Sequence, residues 1–225
     1  MLLEVIVCSV HDAREAERGG ARRLEVVREL AKGGLTPAPD IVEEITHVVT
    51  IPVRVMIRER EGYSVGEEQD VEQLARLVAN FAALGVDGVV MGFLRDRYID
   101  EAVMDALLAA ATPARATFHH AFDDLPDPIA TIEALRRWPQ IDRVLTSGGP
   151  GDWNAKADRI VEWTTAAAPG IGMLVGGGVN LEALRILAKA GVAEAHVGRA
   201  ARVPPTAEGA VSSQKVAELV EAARP

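Results

Sequence analysis

The residues best suited to chemistry in this 225-residue chain are Glu4, Glu25, Arg58, His119, Asp123, Ser147 and His196. Each lies inside or at the end of a short apolar, β-branched run. A charge within a buried strand is costly unless it is paired. Gathered at one end of a sheet, two glutamates, an arginine and histidines would supply an acid, a base and an anchor for an anionic ligand. Structural ion pairing is the competing account, with Glu4 and Glu25 neutralising Arg54 or Arg58. His119 and His120 are adjacent, and successive strand residues point to opposite faces. At most one is therefore expected to face the interior, the other lying hydrogen-bonded under a helix. Ser147 lacks the flanking glycines of a nucleophile elbow.

A second group is backbone in character. Val175-Gly176-Gly177-Gly178-Val179-Asn180 closes one apolar run and opens a helical one, and Gly198-Arg199 follows the next run. Glycine lets the backbone approach an anion closely, and a helix start presents free N–H groups. Gly177, Gly178, Gly198 and Arg199 are the expected anion-binding residues, with Arg199 adding a charged hydrogen bond.

These residues need elements to position them. The runs Leu2–Ser9, Arg23–Arg28, Val53–Arg58, Gly88–Leu94, Ala114–Phe122, Arg143–Gly148, Gly172–Gly177 and Glu194–Ala200 read as strands, several apolar on both faces as covered parallel strands are. Helical spacing follows each. Val71 to Leu84 repeats apolar residues every three or four positions. Thr36 before Pro37 and Pro39, Asp127 before Pro128, and Asn180 are the expected helix caps, while Gly85 and Gly191 close helices. Eight β–α units of about 28 residues each predict an α/β fold, a single (β/α)8 TIM-type barrel over residues 1–225, with its site at the C-terminal ends of the strands. A doubly wound sheet would carry glycines after the first strand, where Ser9-Val10-His11-Asp12 stands instead. The loop Arg202–Gly209 reads as the most flexible segment beside the mouth.

A net charge of −9 without a basic cluster excludes a nucleic-acid partner and disfavours an anionic membrane. Leu2 to Val10 is too short to span a bilayer and has no basic flank. One cysteine, Cys8, precludes an intramolecular disulfide and suits the cytoplasm. No Cys/His pair has zinc-ligand spacing. Cys8 is the one thiolate source for Cu(I), and Met56 and Met91 read as core residues. No metal ligand is assigned from the residues.

The residues Glu4, Arg23-Leu24-Glu25, Gly33-Gly34-Leu35-Thr36-Pro37, Met56-Ile57-Arg58, Thr117-Phe118-His119, Ala121-Phe122-Asp123, Leu145-Thr146-Ser147-Gly148, Gly176-Gly177-Gly178-Val179 and Glu194-Ala195-His196 resemble the CutC copper-homeostasis family. The resemblance runs in order from residue 2 to about residue 200 and implies a cytoplasmic barrel linked to copper homeostasis or copper binding. Some members carry cysteine two residues after each of the first two glutamates, where Ile6 and Val27 stand here. The family's Arg-Pro-Arg-Gly-Gly segment reads Arg58-Glu59-Arg60-Glu61-Gly62, and its His-Arg pair reads His119-His120.

Three readings follow. The first is a barrel that holds a small anionic ligand through Arg58 and the glycine-rich loops, with His119 or a glutamate moving a proton. The second is a copper-binding protein, with copper implied by resemblance alone. The third is a non-catalytic scaffold. Association into a homo-oligomer stays open, since no exposed apolar stripe stands out.

Overall fold

The computed structural model describes residues 1–224; Pro225 lies outside the described residues. Eight parallel strands close into a barrel: β1 (Leu2–Val7), β2 (Arg23–Val26), β3 (Val53–Met56), β4 (Gly88–Met91), β5 (Arg115–Phe118), β6 (Ile141–Thr146), β7 (Gly172–Val175) and β8 (Glu194–Val197). Each pairs with its neighbours in sequence, and β8 pairs back onto β1. Helices α1 (Val10–Arg18), α2 (Pro39–Val48), α3 (Glu68–Ala83), α4 (Glu101–Ala111), α5 (Pro128–Leu135), α6 (Trp153–Ala167), α7 (Leu181–Lys189) and α8 (Ser213–Ala222) follow the strands in turn. The expected (β/α)8 barrel is the fold observed.

Local chemistry sets the helix starts. Asp127 and Asn180 accept from the N–H groups of Ala130 and Ala183, meeting donors that a helix leaves unpaired. Thr36 is not a cap. Its hydroxyl accepts from the Arg58 N–H at 2.8 Å, while Ala38 precedes the Pro39 start of α2 with no side-chain cap. Thr36 thus ties the loop after β2 to the end of β3.

Two short hairpins interrupt the alternation, Leu94–Arg95 with Tyr98–Ile99 and Arg202–Val203 with Ala210–Val211. The second lies in the segment expected to be flexible. Buried Arg202 anchors it, donating to the Gly209 carbonyl at 2.6 Å and pairing with Asp12 at 3.1 Å. The main apolar core contains outward-facing strand residues such as Val5, Leu24, Val55, Val89 and Phe118, packed with helix residues such as Val78, Leu107 and Leu187. The larger exposed apolar side chains, Tyr98, Ile129, Val161, Leu181 and Val203, lie on separate segments. Among the described residues, no helix is long and apolar enough to cross a membrane.

Candidate active site

Register brings the polar strand residues together. Glu4 is level with Arg23 on β2 and with His196 on β8, while Glu25 is level with Ile6, further towards the C-terminal end. The Arg23 guanidinium pairs with Glu4 and reaches Glu194 at 2.6 Å. From Glu194 the ion pairs continue through Arg143 (2.7 Å) to Asp142 (2.5 Å) and on to buried Arg54 (2.8 Å). Arg54 also bonds the Thr117 hydroxyl at 2.7 Å and Asp87 at 2.8 Å. Each buried charge therefore has a partner, as a low-dielectric interior demands. This network neutralises Glu4 through Arg23, not through Arg54 or Arg58.

A cavity of about 700 Å³ opens at the C-terminal ends of the strands, where barrel sites form. Glu25 and His196 line it while buried, at 1% and 6% exposure. One wall is apolar, built from Ile6, Val27, Leu30 and Met56. The other carries His119, His120, Asp123 and Ser147. At the rim are Arg58, Tyr63, Gly177, Gly178, Gly198 and Arg199. Glu4 does not line the cavity; it pairs with His196, which does. The remaining expected site residues all line it.

His196 bridges two carboxylates, with Nδ1 2.7 Å from Glu4 and Nε2 3.4 Å from Glu25. Burial alone would lower its pKa, but Glu25 and Glu4 outweigh that and raise it, favouring the imidazolium. Burial also works against the Glu4 carboxylate, yet Arg23 and His196 prevail and bring its pKa down to about 2. Glu25 differs. Burial, with Glu4 as a like charge, raises its pKa to about 7 against the pull of His196. Its Oε1 is buried and, among the described residues, has no hydrogen-bond partner.

His119 is held neutral. Burial, then the charges of His120 and Arg58, lower its pKa to about 3. Its Nδ1 accepts the Ala121 N–H at 3.2 Å, so the ring proton sits on Nε2. The Tyr63 ring lies 5.0 Å away, centroid to centroid. His120 also lines the cavity, against the expectation that only one of the pair faces inward. β5 ends at Phe118, and residues His120–Asp124 turn as a 3₁₀ helix, so strand alternation no longer applies. Asp123 serves His120: its Oδ2 lies 2.9 Å from His120 Nδ1, and it accepts from the Thr146 hydroxyl at 2.5 Å and the Ser147 N–H at 2.9 Å. Ser147 Oγ accepts from the Gly149 N–H at 3.3 Å.

Arg58 is a loop staple as well as a rim cation. It donates to the carbonyls of Gly33 (3.3 Å) and Gly62 (3.1 Å) and lies 5.5 Å from the Tyr63 ring centre. Sequence reasoning missed Arg23 and His120. Arg23 stands two residues from Glu25, the spacing of one strand face. His120 stands three residues from Asp123, a spacing that brings side chains together only in a helical turn.

The family model for CutC matches residues 1–201. The chain belongs to the CutC family. Relatives named copper homeostasis protein cutC homolog occur in Mus musculus, 38% identical over 197 residues, and in Homo sapiens, 37% identical over 199 residues; each alignment covers 87% of this chain and 72% of the relative. A CutC family protein from Klebsiella pneumoniae is 35% identical over 87% of this chain and 78% of its own length. A crystal structure described as a CutC copper homeostasis protein from Streptococcus agalactiae superposes with a TM-score of 0.79 at 28% identity, covering 88% of this chain and 98% of that one.

The donors present in this CutC member do not fit a Cu(I) thiolate centre. Ile6 and Val27 form apolar wall. The one thiol, Cys8, is half-buried, and burial raises its pKa while Arg202, 3.5 Å from its sulfur, opposes the rise. A cation brought to that sulfur would meet the guanidinium. Among the described residues, no three His, Cys, Asp or Glu side chains are placed to hold a metal ion.

Proposed function

We propose that the cavity binds a small anionic hydroxy-carbonyl metabolite, phosphorylated or carboxylated, and moves a proton on it. Glu25 is the acid–base group. The observation that carries this reading is the Glu25 carboxyl itself: buried at the cavity, with one oxygen unpartnered among the described residues and a pKa brought to about 7. An acid–base group works best when its pKa lies near the operating pH. His119, neutral with its proton on Nε2, suits donation to a carbonyl oxygen as charge develops there, and not proton abstraction. Arg58, Arg199 and the backbone at Gly177, Gly178 and Gly198 would receive the anionic end. Asp123 and Ser147 position neighbouring groups, and His196, backed by Glu4, holds Glu25 and sets its charge.

The partner in this reading is a small molecule, not nucleic acid or membrane. The single cysteine supports a cytoplasmic location. Copper binding within the cavity is left out of the proposal on the chemistry of its donors.

The test is a thermal-shift screen of phosphorylated and carboxylated hydroxy-carbonyl compounds at pH 7, followed by proton NMR of each hit in D₂O. The expected result is loss of a carbon-bound proton signal in the presence of the wild type, slowed about 100-fold or more by Glu25→Gln. Hits whose C–H signals never exchange, or exchange equally with Glu25→Gln, overturn the assignment.

A further inference from the structure

Glu25 is not alone in the cavity in being prepared for proton transfer. The Asp123 carboxylate is fixed by the Thr146 hydroxyl and the Ser147 N–H, and it faces His120 Nδ1 at 2.9 Å. Burial would raise the Asp123 pKa, but the bonds from His120 and Thr146 outweigh it and lower it. An ionised Asp123 takes the Nδ1 proton as its hydrogen-bond donor. Nε2 then carries the lone pair, or the exchangeable proton of the imidazolium. Space exists beside it. A Cβ on Gly176 would come within 3.3 Å of His120 Nε2 and 3.2 Å of His196 Cδ2. Both imidazoles line the cavity and come close to Gly176, where a side chain would collide, and Glu25 Oε2 lies 3.4 Å from Nε2 of the second. His120 approaches from the end of β5 and Glu25 from β2, three strands apart in the closed ring.

We infer that His120, held by Asp123, is a second proton-transfer group, so that one bound ligand is deprotonated at one atom and protonated at another, as an isomerisation or epimerisation requires. The inference rests on the reading of Glu25 given above. The Glu25 carboxylate takes a proton from a carbon beside the carbonyl. The C–H electron pair becomes a C=C bond, and the carbonyl π pair moves onto oxygen opposite His119 Nε2–H. Those electrons return to re-form the carbonyl as the His120 imidazolium gives a proton to the other face of the same carbon. For protonation at the former carbonyl carbon, the neighbouring hydroxyl first gives its proton to the former carbonyl oxygen, and its O–H pair forms the new carbonyl. Glu25 and His120 regain their starting states by exchange with water, and no oxidant or reductant is consumed. The other titratable and charged groups around His120 are Asp124 on its own turn, His119 just after β5, Arg58 and Tyr63 beyond β3, His196 on β8 and Arg199 after it.

The test uses the full chain, labelled with ¹⁵N-histidine and ¹³C-carboxyl glutamate, titrated with 2-phosphoglycolate. The carboxylate of this probe imitates an enediolate oxygen, and its phosphate supplies the anionic end. The Glu25 and His120 signals are expected to move together with one Kd. Asp123→Asn, which removes the carboxylate facing His120 Nδ1, should weaken binding about tenfold. His120→Gln, whose amide can still bond Asp123, should bind about tenfold more weakly with the Glu25 signal still moving. Movement of Glu25 with His120 unmoved, or undiminished affinity in His120→Gln, overturns the inference and leaves the reading of Glu25 standing. If neither signal moves, the reading of the cavity itself fails, and the inference with it.

Discussion

The Nδ1 of His196 lies 2.7 Å from a Glu4 carboxylate oxygen, a contact that joins the first strand of the barrel to the last. With its other nitrogen 3.4 Å from Glu25, this imidazole transmits the charge of the buried ion-pair layer to a carboxyl that lines the cavity. The arrangement makes Glu25 a carboxyl whose ionisation the fold resists.

That resistance has a pH signature. The folded pKa of Glu25, about 7, lies above the ordinary value of 4.5. Between those values the folded state binds more protons than the unfolded state, so the Glu25 contribution is present below about pH 4.5 and is lost as pH rises through 7. Glu25→Gln removes this loss. Urea unfolding should show the variant gaining on wild type from pH 5 to pH 8, by up to about 3 kcal/mol. A constant difference across that range contradicts the assignment.

Arg23 is the partner that keeps Glu4 charged, and the folded pKa of Glu4, about 2, lies below its ordinary 4.5. Its contribution is therefore present above pH 4.5 and lost as pH falls towards 2. Arg23→Met should cost about 3–5 kcal/mol at pH 7, since it leaves buried carboxylates uncompensated. Adding Glu4→Gln should recover part of that loss. Additive effects in the double-mutant cycle would mean the two residues do not share one ion pair.

Gly176→Ala places a methyl group 2.8 Å from a Leu145 methyl and against both His196 and His120. The crowded atom ends a flexible side chain, so a stability cost of about 1–3 kcal/mol is expected from overpacking. Binding of 2-phosphoglycolate, followed by calorimetry, should fall at least tenfold. Unchanged affinity would place the ligand away from the floor of the cavity.

Cu(I) affinity separates this chain from a thiolate copper protein. In an anaerobic competition against a chelator of known affinity, wild type and Cys8→Ser should compete equally and weakly. Tight stoichiometric binding that disappears in Cys8→Ser would restore a metal role at the thiol.

The fold was legible because a parallel barrel writes itself locally. Runs such as Val5-Ile6-Val7 and Gly88-Val89-Val90-Met91 are apolar on both faces, and Asp127-Pro128 and Asn180 mark helix starts whatever lies around them. Each of the eight strand cores fell where it was expected, although some limits were drawn too long, as at Ala114–Phe122 against Arg115–Phe118. The extra residues belong to a 3₁₀ turn that no apolar pattern announces.

Composition and local pattern determined the alternating elements, the acidic surface and the residue types available at the mouth. Only the closed barrel decided which of them meet. The β1–β8 pairing puts Glu4 beside His196, 192 positions apart in sequence, and register lifts Glu25 above Glu4 into the cavity. Burial then makes one glutamate a fixed anion and the other an acid–base group. Desolvation and partner distance set that difference, and neither is a property of a residue's place in the sequence.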